Sequence, residues 1–211
     1  MARKAQISRD MAIGVALEII DAEGLANFSL NRLAKELGVR TPSLYYHFAD
    51  RSEILTEVAR RIAAVYPVPE QHYSPGSDWM DSIVDICMAL RASILRHRNA
   101  APLLLEYLPR DLLIDSYEAA SKLLEESGVP AEFRVCILDG AERLTLGAAL
   151  TEATRGRTTR KTIFPNVNAR TQPSLARALT ANNWTTEEIF EISLRTFLRG
   201  VTSDSVSPSS S

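Results

Sequence analysis

Residues 33–51 read Leu33-Ala34-Lys35-Glu36-Leu37-Gly38-Val39-Arg40-Thr41-Pro42-Ser43-Leu44-Tyr45-Tyr46-His47-Phe48-Ala49-Asp50-Arg51, and the interruption at Gly38 decides what they form. Upstream of it, Leu30, Leu33, Ala34 and Leu37 fall at helical spacing behind Ser29, a residue type that caps helix starts by accepting a backbone N–H. Downstream, Thr41-Pro42 is a cap followed by proline at the first helical position, where its missing N–H costs nothing; it opens a second short helix through His47. Two short helices joined by a tight turn are the layout of a helix-turn-helix. Ala34 is small where the helices cross, Gly38 supplies a turn geometry that other residues resist, and Val39 and Leu44 fill the space between. Arg40, Thr41, Ser43, Tyr45, Tyr46 and His47 are left with almost no apolar partner, a face suited to a DNA major groove. Arg and Thr reach base edges there, while Tyr, His and cap donors hold phosphates.

Working outward, Ser8 caps a first helix whose Ile13, Ala16, Leu17 and Ile20 form one stripe ending at Gly24. Asp50 and Glu53 make a capping box for a further helix with Ile54, Val58, Ile62 and Val65 on its inner face. Prolines and glycine at 66–77 break the pattern. The division expected is a helix-turn-helix domain at 1–65, a second helical domain at 66–202 and a Ser-rich disordered tail at 203–211. In the second domain, stripes appear at Ile83, Ile86, Cys87, Leu90 and Ile94, at Leu113, Tyr117, Ala120 and Leu124, and at Ile137, Ala141, Leu144 and Ala148. A basic loop is expected at 154–172, a short helix near 173–180, and a last helix with Phe190, Leu194, Phe197 and Val201 in line. With no strand alternation between turn signals, the class is all-α.

The 211 residues are 45% hydrophobic and 24% charged, enough to bury a core and too ordered a composition for a disordered chain. No apolar stretch is long enough for a membrane span and no export signal is evident, so a cytoplasmic protein without membrane partners is expected. Cys87 and Cys136 lie in helical patterns far from any CxxC spacing and read as small buried hydrophobes, which excludes a disulfide scaffold or zinc ribbon. The formal charge of −2 argues mildly against nucleic acid, but residues 1–65 carry +1 and the remainder −3, with Arg3, Lys4 and Arg9 concentrated at the start.

The run from Leu33 to Arg51 with the following Leu55, together with Gly24-Leu25-Ala26-Asn27-Phe28-Ser29-Leu30, resembles the DNA-binding domain of the tetracycline-repressor family of bacterial regulators. The Leu-Tyr-x-His-Phe core makes this far more specific than a generic helix-turn-helix. More weakly, Asp139-Gly140-Ala141-Glu142-Arg143-Leu144 resembles the ligand-binding half of its tetracycline-repressor-like branch. The resemblance implies a homodimer of nine or ten helices per chain. Its C-terminal domain holds a small-molecule inducer and pairs through two late helices. By alignment with the motif, Thr41 and Ser43 are base readers with Arg40 and Pro42 beside them, and Tyr45, Tyr46 and His47 clamp phosphates. Ser29, Asn31 and Arg51 align with flanking phosphate contacts, whereas Leu30 stands where the family often has a polar residue and takes no DNA role. The dimer interface is expected from Ile137, Ala141, Leu144, Gly147 and Ala148 on one helix and Phe190, Leu194 and Phe197 on the last. No histidine and carboxylate pair aligns with the magnesium site of the tetracycline-binding branch, so no cofactor or metal is assigned beyond an unidentified effector.

Blander readings compete with these. Tyr45 and Tyr46 could serve core packing, His47 could bond a helix end, and Arg51 could be a solvated cation. His72 and His97 read as solvated surface residues without metal partners. Trp79, Met80, Met88, Tyr107 and Phe133 read as core. A helical enzyme using Glu142 or Asp139 is the alternative from another class, but no nucleophile and base pair is evident. A protein–protein adaptor using the helix-turn-helix only structurally is a second alternative, opposed by the lack of an apolar anchor on that face. The reading adopted is a ligand-responsive transcriptional regulator, a repressor released from a palindromic double-stranded operator by a small molecule.

Overall fold

The computed structural model describes residues 7–64, 78–107, 113–155 and 163–202, and all regular structure among them is helical. Arg3, Lys4, the junction at 66–77 with His72, most of the basic run at 155–161 and the tail at 203–211 lie outside the described residues.

The first unit comprises α1 (Arg9–Glu23), α2 (Leu30–Glu36), a 3₁₀ helix (Thr41–Tyr46) and α3 (Arg51–Ala63). Ser8 and Ser29 cap α1 and α2 by accepting the N–H groups of Met11 and Arg32. The Asp50 carboxylate accepts from Glu53 N, while Glu53 reaches back to Ala49 N, one residue earlier than in a standard capping box. Gly38 at φ +67° closes α2 in a Schellman turn, with Val39 N donating to Ala34 O and Gly38 N to Lys35 O. The second helix of the motif is thus 3₁₀ and not α. Pro42 lacks an N–H, and the short segment closes through Ser43 N to Arg40 O and His47 N to Leu44 O.

The second unit begins with α4 (Trp79–Arg96), followed by α5 (Leu103–Glu106), α6 (Ile114–Glu126), α7 (Ala131–Thr154), α8 (Pro173–Ala181) and α9 (Thr186–Thr202). The four-residue α5 has no periodicity long enough to signal it in sequence. At the start of α9, Thr185 and Glu188 form a reciprocal box, each side chain accepting the other's backbone N–H.

Two apolar clusters hold the molecule. The first gathers α1 to α3 and continues without a break into Leu90, Ile94, Ala100, Leu103 and Leu104, and into Ala149, Leu150 and Ala153 of α7. The second joins Ile83, Val84 and Cys87 of α4 to Ala120, Leu124, Ile137, Ala141, Phe190, Leu194 and Leu198. Trp79, Met80, Met88 and Phe133 pack against the second cluster and Tyr107 against the first, as core residues. Helix α4 belongs to both clusters, so the division read from sequence is not a division in packing.

The inward faces of the late helices differ from the expected stripes. On α7 the buried side chains are Ile137, Ala141, Thr145, Ala149, Leu150 and Ala153, because 3.6 residues per turn carries the inner face past Leu144 and Ala148. On α9 they are Phe190, Leu194 and Leu198. Cys136 is exposed, contrary to expectation, whereas Cys87 is buried.

Candidate DNA-reading face and interior cavity

The turn aims the 3₁₀ helix outward by burying Leu44 and Phe48 and leaving what lies between them in solvent. Tyr46 is 90% exposed and Tyr45 56%, so neither tyrosine serves the core. Arg40 and Pro42 are exposed, and Thr41, Ser43 and His47 are half-buried beside them. The Thr41 hydroxyl donates to Asn31 Oδ1 over 2.7 Å, which ties the start of this helix to α2 and brings two of the sequence-derived positions together. Ser29, at the start of α2, is exposed with its hydroxyl already capping Arg32 N, and Leu30 packs on the first cluster. Arg51 lies 5.6 Å over the Phe28 ring, a seat that holds its guanidinium against the protein.

Charged side chains brace the same face. Arg9, counted with the basic start of the chain, turns inward: it donates to the His47 carbonyl, pairs with Glu53 at 2.8 Å and lies 4.6 Å over the Phe48 ring. Glu53 is held below the usual carboxylate range, first by the Ala49 N–H and then by Arg9. Arg32 bridges Glu23 of α1 and Glu36 of α2. The cations that fix this fold are therefore not the ones free to meet DNA, a distinction that residue counting misses.

The interior of the second unit holds a cavity of about 50 Å³, room for a few water molecules. Its walls come from α4, α6 and α7, including Ile83, Leu90, Leu113, Tyr117, Leu138 and Glu142, and Ala63 at the end of α3 closes one side. The Tyr117 hydroxyl donates to Glu142 Oε2 over 2.7 Å. The Thr145 hydroxyl donates to the Ala141 carbonyl over 2.7 Å. Burial pushes the Cys87 thiol up to about 11, so it is neutral and unreactive near pH 7. Among the described residues no three of His, Cys, Asp and Glu converge as a metal site, and no helix is long and apolar enough to cross a membrane.

Between the two units, His97 is not a solvated surface residue. Its Nδ1 lies 2.6 Å from Asp21 Oδ2, and Asn99 donates to the Asp21 carbonyl over 2.7 Å. The Ser93 hydroxyl, buried, donates to the Ile62 carbonyl over 2.7 Å. Asp21 Oδ1 is buried without a partner among the described residues, so this junction is incompletely satisfied. Sequence carried no signal for it, since the residues that meet are 76 apart.

The expected dimer residues divide. Ile137, Ala141, Phe190 and Leu194 are buried within the subunit and cannot face a second copy. Phe197 packs on Gly140 of the same chain, where a Cβ would stand 2.2 Å from its ring, so that small residue serves an internal approach. Leu144 and Gly147 are exposed and Ala148 half-buried, joined by Val135 on α7 and Ile192 on α9 as outward apolar positions. Apolar periodicity along a helix marks its inner face first.

Comparison with known proteins agrees with this geometry. The family described as "Bacterial regulatory proteins, tetR family" matches residues 12–58, and "Tetracyclin repressor-like, C-terminal domain" matches residues 73–204. The Escherichia coli tetracycline repressor protein class E is 28% identical over 148 residues, 70% of either chain. A possible TetR family transcriptional regulator from Streptomyces coelicolor A3(2) superposes with a TM-score of 0.77 at 26% identity, over 92% of this chain and 98% of that one. The Streptomyces coelicolor TetR family protein ActR, in complex with actinorhodin, superposes with a TM-score of 0.74 at 25% identity, over 93% of this chain and 97% of that one.

Proposed function

The chain belongs to the tetR family of bacterial regulatory proteins, and from that premise we propose that it represses transcription at a near-palindromic operator until a small molecule enters the α4–α6–α7 cavity. It is a ligand-responsive DNA-binding transcription regulator and not an enzyme. In this reading it works in the cytoplasm as a homodimer. Thr41 and Ser43 read base edges with Arg40 and Pro42 beside them, and Tyr45, Tyr46 and His47, with Ser29, Asn31 and Arg51, hold phosphates. The two 3₁₀ helices of the dimer enter successive major grooves, about 34–36 Å apart. Pairing uses the outward residues Leu144, Gly147, Ala148, Val135 and Ile192, with the buried members of the expected set acting from behind.

One observation carries the coupling: α4 is a wall of the cavity at Ile83, Cys87 and Leu90 and a contact of the reading unit at Ser93, Ile94 and His97. The cavity is too small for most effectors as it stands, so an entering ligand must part α4 from α6 and α7. Movement of α4 is then felt at Ile62 and Asp21, which shifts the spacing of the two reading helices. By linkage, operator binding weakens the ligand by the same factor.

Footprinting and anisotropy titration on the DNA upstream of its own gene test this. A palindromic footprint with affinity falling steeply in salt is expected; a monomer in sedimentation at micromolar concentration, or no protected site, overturns the reading. Asp21→Asn weakens the junction without touching either site. It should leave operator affinity of the free protein within about twofold and remove about 1 kcal/mol of the ligand's effect on DNA, within the usual range of coupling energies.

A further inference from the structure

We propose that Asn31 sets the base preference of Thr41. By taking the only hydroxyl proton of Thr41 it makes that side chain an acceptor alone, so the operator position read there carries an amino base, adenine or cytosine, in preference to guanine or thymine. This rests on the reading of Thr41 as a base contact and of Asn31 as a phosphate contact.

Asn31 is the second residue of α2 and Thr41 the first of the 3₁₀ helix, and the tight turn at Gly38 folds them onto one another across ten positions of chain. The Thr41 hydroxyl donates to Asn31 Oδ1 over 2.7 Å. A hydroxyl carries one proton and two lone pairs, so once that proton is committed the group can only accept. The amide of Asn31 has a carbonyl oxygen on one side and an NH₂ group on the other. A phosphate offers acceptors and no donor, so an amide beside it turns its Nδ2 protons toward the anion. That leaves Oδ1 for Thr41. In the reverse orientation Oδ1 would meet the phosphate lone pair against lone pair, so docking on DNA keeps the observed direction of donation. Asn31 is exposed and Thr41 half-buried beside it, which leaves both side chains open to the groove. Along the major groove, adenine N6 and cytosine N4 are the amine donors, whereas guanine O6 and N7 and thymine O4 accept. An acceptor-only hydroxyl pairs with the first set and opposes the second. Arg40, next to it, is exposed and donates only, so Thr41 supplies an acceptor that this neighbour cannot.

An operator selected from random duplexes by the full chain, with affinities followed by anisotropy, tests this. The position read by Thr41 is the one whose preference Thr41→Val flattens. There the wild-type chain should favour adenine or cytosine over guanine or thymine by about tenfold. Asn31→Ala frees the Thr41 proton and should reduce that preference below about threefold. Asn31→Asp keeps the acceptor for Thr41 but sets an anion against the phosphate; it should weaken all sequences by about tenfold and leave the preference intact. An Asn31 that only holds a phosphate would instead lose affinity uniformly in both variants. In the Thr41→Val background, Asn31→Ala should no longer change the preference. Purine in place of adenine, or 2-pyrimidinone in place of cytosine, lacks the amine and should cost the wild-type chain and Asn31→Asp about tenfold. No loss on that replacement overturns the proposal even if Asn31→Ala folds poorly. A guanine or thymine preference at the position, no position flattened by Thr41→Val, or a preference unmoved by Asn31→Ala also overturns it and leaves the regulator standing. Failure to select any sequence overturns the DNA-reading premise itself.

Discussion

The unit of α1 to α3 and the unit of α6, α7 and α9 are both helices around apolar side chains, yet they place their informative residues on opposite sides of the surface. In the first, Leu33, Leu44, Ile54, Leu55 and Ile62 are sealed, caps and ion pairs lock each helix end, and Tyr45 and Tyr46 stand in solvent. In the second, the surface carries apolar Val135, Leu144 and Ile192, and the polar groups of interest, Glu142, Tyr117 and Thr145, line an internal gap. A DNA reader needs a rigid frame and an accessible polar face, whereas a sensor needs an interior that can part. Helix α4 joins these opposed requirements, because it is sealed at Ile94 and lines the gap at Leu90.

The contrast can be broken by measurement. Leu194→Ala should cost about 3 kcal/mol if the second cluster is close-packed around it, and Leu55→Ala provides the matching value for the first. A loss at Leu194 below about 1 kcal/mol, read by urea unfolding, would show that the sensing unit is looser even at its sealed end. Tyr46→Ala should weaken operator binding about tenfold, uniformly over operator variants, while leaving thermal stability unchanged, since so exposed a side chain supports no packing. Thr41→Ala should instead relax preference at one base step, by about 1–3 kcal/mol, when binding is compared across single-base operator changes. Gly38→Ala, forced into a positive φ, should cost about 1 kcal/mol in thermal unfolding.

The smallest effect concerns pH. Glu53 has a folded-state pKa below its unfolded value, so its contribution is present above the unfolded pKa and is lost as pH falls through the folded one. Glu53→Gln should therefore lower stability slightly at pH 7 and flatten the loss between about pH 5 and 3, followed by thermal melts. An unchanged acid limb would mean that solvent screens the Arg9 and Ala49 contacts of this half-exposed carboxylate.

Legibility in the sequence follows the same contrast. Ser8, Ser29, Asp50 with Glu53, and Gly38 are local devices, acting within one to five residues, and each forms as its neighbours require. The Arg9 brace was not legible, because its partners lie 38 and 44 residues away. The helical character of residues 41–46 was readable but not its 3₁₀ geometry, which depends on how the segment closes after Pro42. On α7 and α9 periodicity locates the apolar residues but not the surface each one packs against. Periodicity reports which residues leave water, and Ile137 and Leu194 leave it inside their own subunit.

By itself, then, the sequence determined an all-helical chain, a capped helix-turn-helix with a polar outward face, and the positions of most helix ends, since these rest on backbone hydrogen bonds and turn conformations between near neighbours. Only the tertiary structure decided that the first core runs on into α4, α5 and α7, that His97 meets Asp21, and that Tyr117 meets Glu142 in the cavity wall. Those facts depend on the angles at which separate helices cross, and crossing angles are set by the packing of side chains distant in the chain.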